Sequence, residues 1–111
     1  MEAACQDMIK NLENQGVIKR YDKASDWCAP ARFILKHNGK PRLVINFQGL
    51  NSQGTRIGYP FSSVQDIHAK IQNNTLFFIV LDLINSYFQL RIAEESQPLL
   101  VFVCPFGKYV M

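Results

Sequence analysis

The sequence predicts an α+β fold, and three observations carry that prediction. Apolar residues recur at helical spacing over residues 3–15 and again over 62–71. Two apolar runs flank an Asn-Gly pair in the manner of a β-hairpin. Residues 76–81, Leu-Phe-Phe-Ile-Val-Leu, run straight into Asp82, the pattern of a strand covered on both faces. With 111 residues, 48% apolar and 19% charged, the chain has the composition of one small globular domain rather than a disordered segment.

In the first helix, Ala4, Met8 and Leu12 recur four residues apart with Cys5 and Ile9 beside them, and Gly16 is placed to end it. Residues 21–30 contain Ser25, Asp26, Trp27 and Pro30 and read as a loop anchored by the tryptophan. Residues 32–36 and 40–47 then form the hairpin around His37-Asn38-Gly39. Alternation sets Leu43, Ile45 and Phe47 on one face and Arg42, Val44 and Asn46 on the other, so Lys36, Lys40 and Arg42 gather near the tip. Like charges this close repel, so the cluster reads as a holder of phosphates, with Arg42 able to fork onto two oxygens.

Residues 51–60 read as a connection. Ser62 with Gln65 forms a capping box for a second helix whose buried side is Val64, Ile67 and Ile71, with His68 on its surface. After Leu90, residues 91–98 read as strand then turn, 99–103 as a strand, and Pro105-Phe106-Gly107 as the turn into a last strand. The chain stops there without a closing element, the pattern expected of a fragment.

An ionised carboxylate in an apolar setting costs several kcal/mol unless partnered, roughly the penalty for burying an unpaired ion. Asp82 is therefore expected at a cleft, solvated, hydrogen-bonded or bound to a cation. An aspartate closing a strand also serves as N-cap of the turn that follows, and Asp82 alone does not separate these roles.

The net charge is +3, and no acidic residue lies between Asp26 and Asp66 while Arg32, Lys36, Lys40, Arg42 and Arg56 do, a local field suited to a polyanion or simply to a solvated surface. Three cysteines without a C-x-x-C pair argue against zinc and for reduced thiols in an intracellular setting. No secretory pattern opens the chain, and no apolar run is long enough for a bilayer. A glycine-rich phosphate loop, a Ser/His/Asp set and a metalloprotease helix are absent.

In order, the chain carries Gly16-Val17-Ile18, Trp27-Cys28-Ala29-Pro30, Lys36 through Gly39 to Arg42, and Asn46-Phe47-Gln48-Gly49-Leu50-Asn51. Tyr59-Pro60-Phe61, Leu81-Asp82-Leu83 with Tyr87 and Gln89, and Pro105-Phe106-Gly107 follow. This series resembles the reverse transcriptases of retroviruses and gypsy-like long-terminal-repeat retrotransposons. The resemblance implies a fingers-like segment over residues 1–75 and the start of the palm antiparallel sheet over 76–111. It implies that Asp82, with the carbonyl of Leu83, binds catalytic Mg2+, a hard ion suited to such oxygens. Tyr87 would lie under the sugar and exclude a 2′-hydroxyl, Asn85 and Ser86 would meet triphosphate and sugar, and Arg42 and Lys36 would close on the triphosphate.

The implied function is RNA-directed DNA polymerisation: deoxynucleotides (dNTPs) are added to a primer on an RNA or DNA template, with no membrane involved. The family's later aspartate pair and thumb do not occur within residues 1–111, so the chain alone is expected to be inactive. Asn46 and Gln48 replace an acid and an arginine common in the family, His37 replaces a common lysine, and Ser86 stands where many members have glycine or alanine. The competing expectations are a non-catalytic nucleic-acid-binding module and a decayed mobile-element remnant.

Overall fold

The computed structural model describes residues 2–111. Helix α1, Glu2–Asn14, buries Cys5, Ile9 and Leu12, a stripe at i, i+4 and i+7. Ala4 is exposed and Met8 only half-buried, so the buried face is rotated slightly from the expected one. Gly16 takes φ 75°, and this left-handed turn lets the Val17 amide donate to Leu12 O at 3.0 Å. The chain thereby doubles back and delivers Ile18 to the same core.

Strand β1, Lys19–Arg20, follows, and then the hairpin of β2, Ala29–Leu35, and β3, Pro41–Ile45. The hairpin is antiparallel, with Phe33 opposite Leu43 and Ile34 opposite Arg42. Strands β4, Val101–Cys104, and β5, Gly107–Val110, turn at Pro105-Phe106 as expected, with Gly107 at φ 145° where a side chain would be strained. They complete one sheet of order β1-β5-β4-β2-β3, in which β2 and β4 run parallel and the other neighbours antiparallel. Mixed sheet and helices make the protein α+β, as its sequence predicts.

The core lies between α1 and this sheet. Ile9, Leu12, Ile18, Leu43, Phe102, Cys104 and Tyr109 form it, with Phe33, Phe88 and Phe106 packed at its margin. Loop 21–28 is tied down where Ser25 Oγ donates to Pro98 O at 2.8 Å and accepts from the Trp27 amide at 3.2 Å. Cys5 and Cys104 are buried and Cys28 is exposed, all as free thiols.

Between β3 and β4 the chain leaves the core. Helix α2, Gln48–Gln53, occupies the start of what reads as a connection, after Asn46 Oδ1 accepts from the Gln48 amide at 3.0 Å. Helix α3, Val64–Lys70, has its capping box one residue later than expected: Ser63 Oγ accepts from the Asp66 amide, and Asp66 accepts from that of Ser63, both at 3.1 Å. Its apolar side is not buried, because no element packs on Val64, Ile67 or Ile71.

A larger departure concerns residues 76–81. They are extended but join no sheet, and their side chains are between 68 and 89% exposed. The sequence encodes a strand that wants cover on both faces; among the described residues no neighbouring strand or helix supplies it. Residues 91–93 likewise form no strand, and a 3₁₀ segment, Glu94–Leu100, leads into β4.

Candidate nucleotide site

The hairpin tip is built by local hydrogen bonds. The Lys36 amide donates to Lys40 O at 2.9 Å, the Gly39 amide to Lys36 O at 2.9 Å, and Asn38 Oδ1 accepts from the Lys40 amide at 3.1 Å. Gly39 supplies the positive φ of 74° that this tight reversal needs. Residues directly opposite in an antiparallel pair share a face. The register pairs Arg32 with Val44 and Ile34 with Arg42, so Arg32, Lys36, Lys40 and Arg42 line one outer face, all exposed. The sequence places three of these cations together; adding Arg32 requires the register, which the spacing across the turn could have provided.

The segment from Asp82 to Gln89 is built differently. Asp82 and Leu83 are exposed at the end of the extended run. Asn85 then takes φ 49°, ψ 50°, the left-handed region asparagine tolerates better than most residues. The turn closes where the Phe88 amide donates to Asn85 O at 2.9 Å and Gln89 Nε2 to Ile84 O at 2.7 Å. Phe88 is thereby set against the core, and its neighbour Tyr87 is turned outward, 78% exposed, with Ser86 half-buried. One aromatic anchors the turn and the other is presented.

The hydrogen bonds that hold each group are local to it, and the structure does not join hairpin tip and Asp82 segment into one pocket. Nor does Asp82 sit in a cleft as expected. The larger groove, of about 580 Å³, lies elsewhere, between Trp27 and Leu99 on one side and Leu50, Asn51, Thr55 and Arg56 on the other. Asp82 is solvated, one of the three conditions under which a carboxylate is tolerated here.

The donors at Asp82 and the Leu83 carbonyl have the right hard-oxygen chemistry for magnesium, but they are too few for two ions. Among the described residues no three His, Cys, Asp or Glu side chains gather as a metal-holding group. A complete two-metal centre therefore does not fit the residues of this chain alone.

No family model matches the chain. It is 34% identical over 109 residues to the enzymatic polyprotein of Soybean chlorotic mottle virus, covering 95% of this chain and 15% of that protein. It is 33% identical over 106 residues to the transposon Tf2-3 polyprotein of Schizosaccharomyces pombe, covering 96% of this chain and 8% of the relative. The chain thus spans a small part of the length of these relatives. Among solved structures, a foamy viral protease-reverse transcriptase in complex with dsDNA superposes with TM-score 0.74 at 23% identity, over 98% of this chain and 22% of that one. A second foamy viral protease-reverse transcriptase structure with dsDNA gives 0.73 over 97% and 19%.

The fold is one shared with reverse transcriptases. With sequence similarity to virus and transposon polyproteins along nearly its whole length, the chain is a reverse-transcriptase-related protein of the retroelement kind.

Proposed function

We propose that the chain is the fingers and early palm of an RNA-directed DNA polymerase, and that residues 1–111 by themselves do not polymerise. The observation that carries this reading is similarity to retroelement polyproteins over 95–96% of the chain, on a backbone that superposes on a reverse transcriptase. In this reading the fingers-like segment is 1–75 and the palm begins at residue 76, with β4 and β5 returning to the hairpin's sheet.

Lys36 and Arg42, on the outer hairpin face, bind the triphosphate oxygens of an incoming dNTP, Arg42 by two parallel N–H bonds. Tyr87, held outward by the Phe88 anchor, offers its ring to the sugar, while Asn85 and Ser86 offer backbone and side-chain polar groups beside it. Asp82 and the Leu83 carbonyl are this chain's share of a Mg2+ site whose other carboxylates lie outside residues 1–111. The polymer partner is an RNA or DNA template-primer; the foamy viral neighbours are complexes with dsDNA, which supports a nucleic-acid partner. No helix among the described residues is long and apolar enough to cross a membrane, and we place the activity inside the cell, where such templates occur.

The test is photolabelling of the purified chain with a photoreactive dNTP, alongside primer extension. Labelling within residues 32–42, lost in the Lys36→Ala/Arg42→Ala double variant, and no extension are the expected results. Labelling that ignores the double substitution sinks the nucleotide reading, and extension by the chain alone sinks the claim of inactivity.

A further inference from the structure

We propose that residues 75–81 are a self-pairing strand, covered in solution by the same strand of a second copy of this chain in antiparallel register. The proposal stands apart from the polymerase reading and starts from surface area. The chain exposes 9731 Å², whereas a compact monomer of its 12.7 kDa exposes roughly 6,200 Å². The excess of about 3,500 Å² is several times the roughly 800 Å² that each partner contributes to an ordinary stable interface. A dimer therefore has ample apolar surface to bury.

The location follows from how the other edges are guarded. Strand edges with free N–H and C=O groups recruit further strands unless charge or proline blunts them. The sheet's two edge strands are blunted: β1 is Lys19–Arg20, and β3 begins at Pro41 and carries Arg42. Residues 75–81 are extended without a ladder partner and contain neither a charge nor a proline. Phe77, Phe78, Ile79 and Val80 are aromatic or β-branched, the residue types that pack best on a pleated surface. Neutral runs of this kind are the ones that zip together.

Asp82 selects the direction. Parallel in-register pairing would set each Asp82 beside its copy, and like charges directly opposite are destabilising. Antiparallel pairing about a dyad between Phe78 and Ile79 sets Asp82 opposite the copy's Thr75, whose hydroxyl can donate to the carboxylate. The six apolar residues then pair only with one another.

The experiment is sedimentation equilibrium over a roughly hundredfold concentration range, with hydrogen exchange at each end of the range. A dimer at high concentration is expected, with the amides of 76–81 protected there and open on dilution. Ile79→Lys/Val80→Lys, which sets charge on both faces beside the dyad, should weaken association roughly tenfold or more, about 1.4 kcal/mol. Ile57→Lys, exposed on the same arm but outside the strand, should leave it unchanged. A monomer throughout, a dimer with open 76–81 amides, or equal effects of both variants overturns the proposal. Protection independent of concentration assigns the cover to the chain itself and overturns it equally.

Discussion

Tyr109 is 2% exposed, stacked on Phe102 at 5.9 Å with the Arg20 guanidinium 5.6 Å from its ring centre. Burial pushes its phenol above the usual 10.0, with Arg20 pulling against it and Glu13 adding to the rise. The folded state therefore holds this proton more tightly than the unfolded state. The stability it contributes is fully present below about pH 10, where the unfolded tyrosine titrates, and falls as pH rises through the folded value. Denaturant midpoints between about pH 9 and pH 11 should decline in the parent, and Tyr109→Phe should flatten that decline. Arg42 is the opposite case, an exposed side chain with no part in the core. Arg42→Ala should leave the unfolding midpoint within about 0.5 kcal/mol, as exposed substitutions do. It should weaken dNTP binding, measured by titration calorimetry, by about 1.5–3 kcal/mol, the scale of a charged hydrogen bond. A binding loss in step with a stability loss would remove Arg42 from the site.

At the scale of elements, the legible parts of the sequence were those whose causes are local. Asn38-Gly39 fixed the hairpin because the turn and its register are decided within a few residues. The α1 helix and the Pro105–Gly107 turn were legible for the same reason. What the sequence hid was partnership: Val64, Ile67 and Ile71 have helical spacing, and residues 76–81 have strand character, yet neither pattern states what lies on the other side. Of the candidate site, the fingertip cations were readable, while Asp82 was expected in a cleft that the described residues do not build. The Phe88 anchor was missed because adjacent aromatics give no sign of which turns inward until the Asn85 turn is known. These differences predict contrasting costs. Ile9→Ala, in the core, should destabilise by about 2–5 kcal/mol. Ser63→Ala removes a cap worth about 1 kcal/mol to α3 alone, so exchange at residues 64–70 should speed while the global midpoint stays put.

Taken whole, the molecule is a compact sheet-and-helix body with a long excursion between Ile45 and Val101. Its radius of gyration is 18.5 Å, against about 13 Å for a compact chain of this length. The two ends of the excursion are nevertheless held together, since β4 pairs in parallel with β2 and β5 pairs with β1, both of which precede the excursion. Proteases cut where backbone is exposed and weakly bonded, and Arg56 and Lys70 are exposed on the excursion. Lys108 is instead part of β5, with its Nζ bonded to Lys23 O at 2.8 Å. Brief trypsin treatment should therefore cleave first after Arg56 and Lys70. The nicked protein should elute as one species under native conditions, because Phe102, Cys104 and Tyr109 from the second piece share a core with Ile9, Leu12 and Leu43 from the first. Under denaturing electrophoresis the same sample should separate into fragments. Fragments that part under native conditions would mean that continuity of the excursion, rather than the β2–β4 ladder and the shared core, holds the fold.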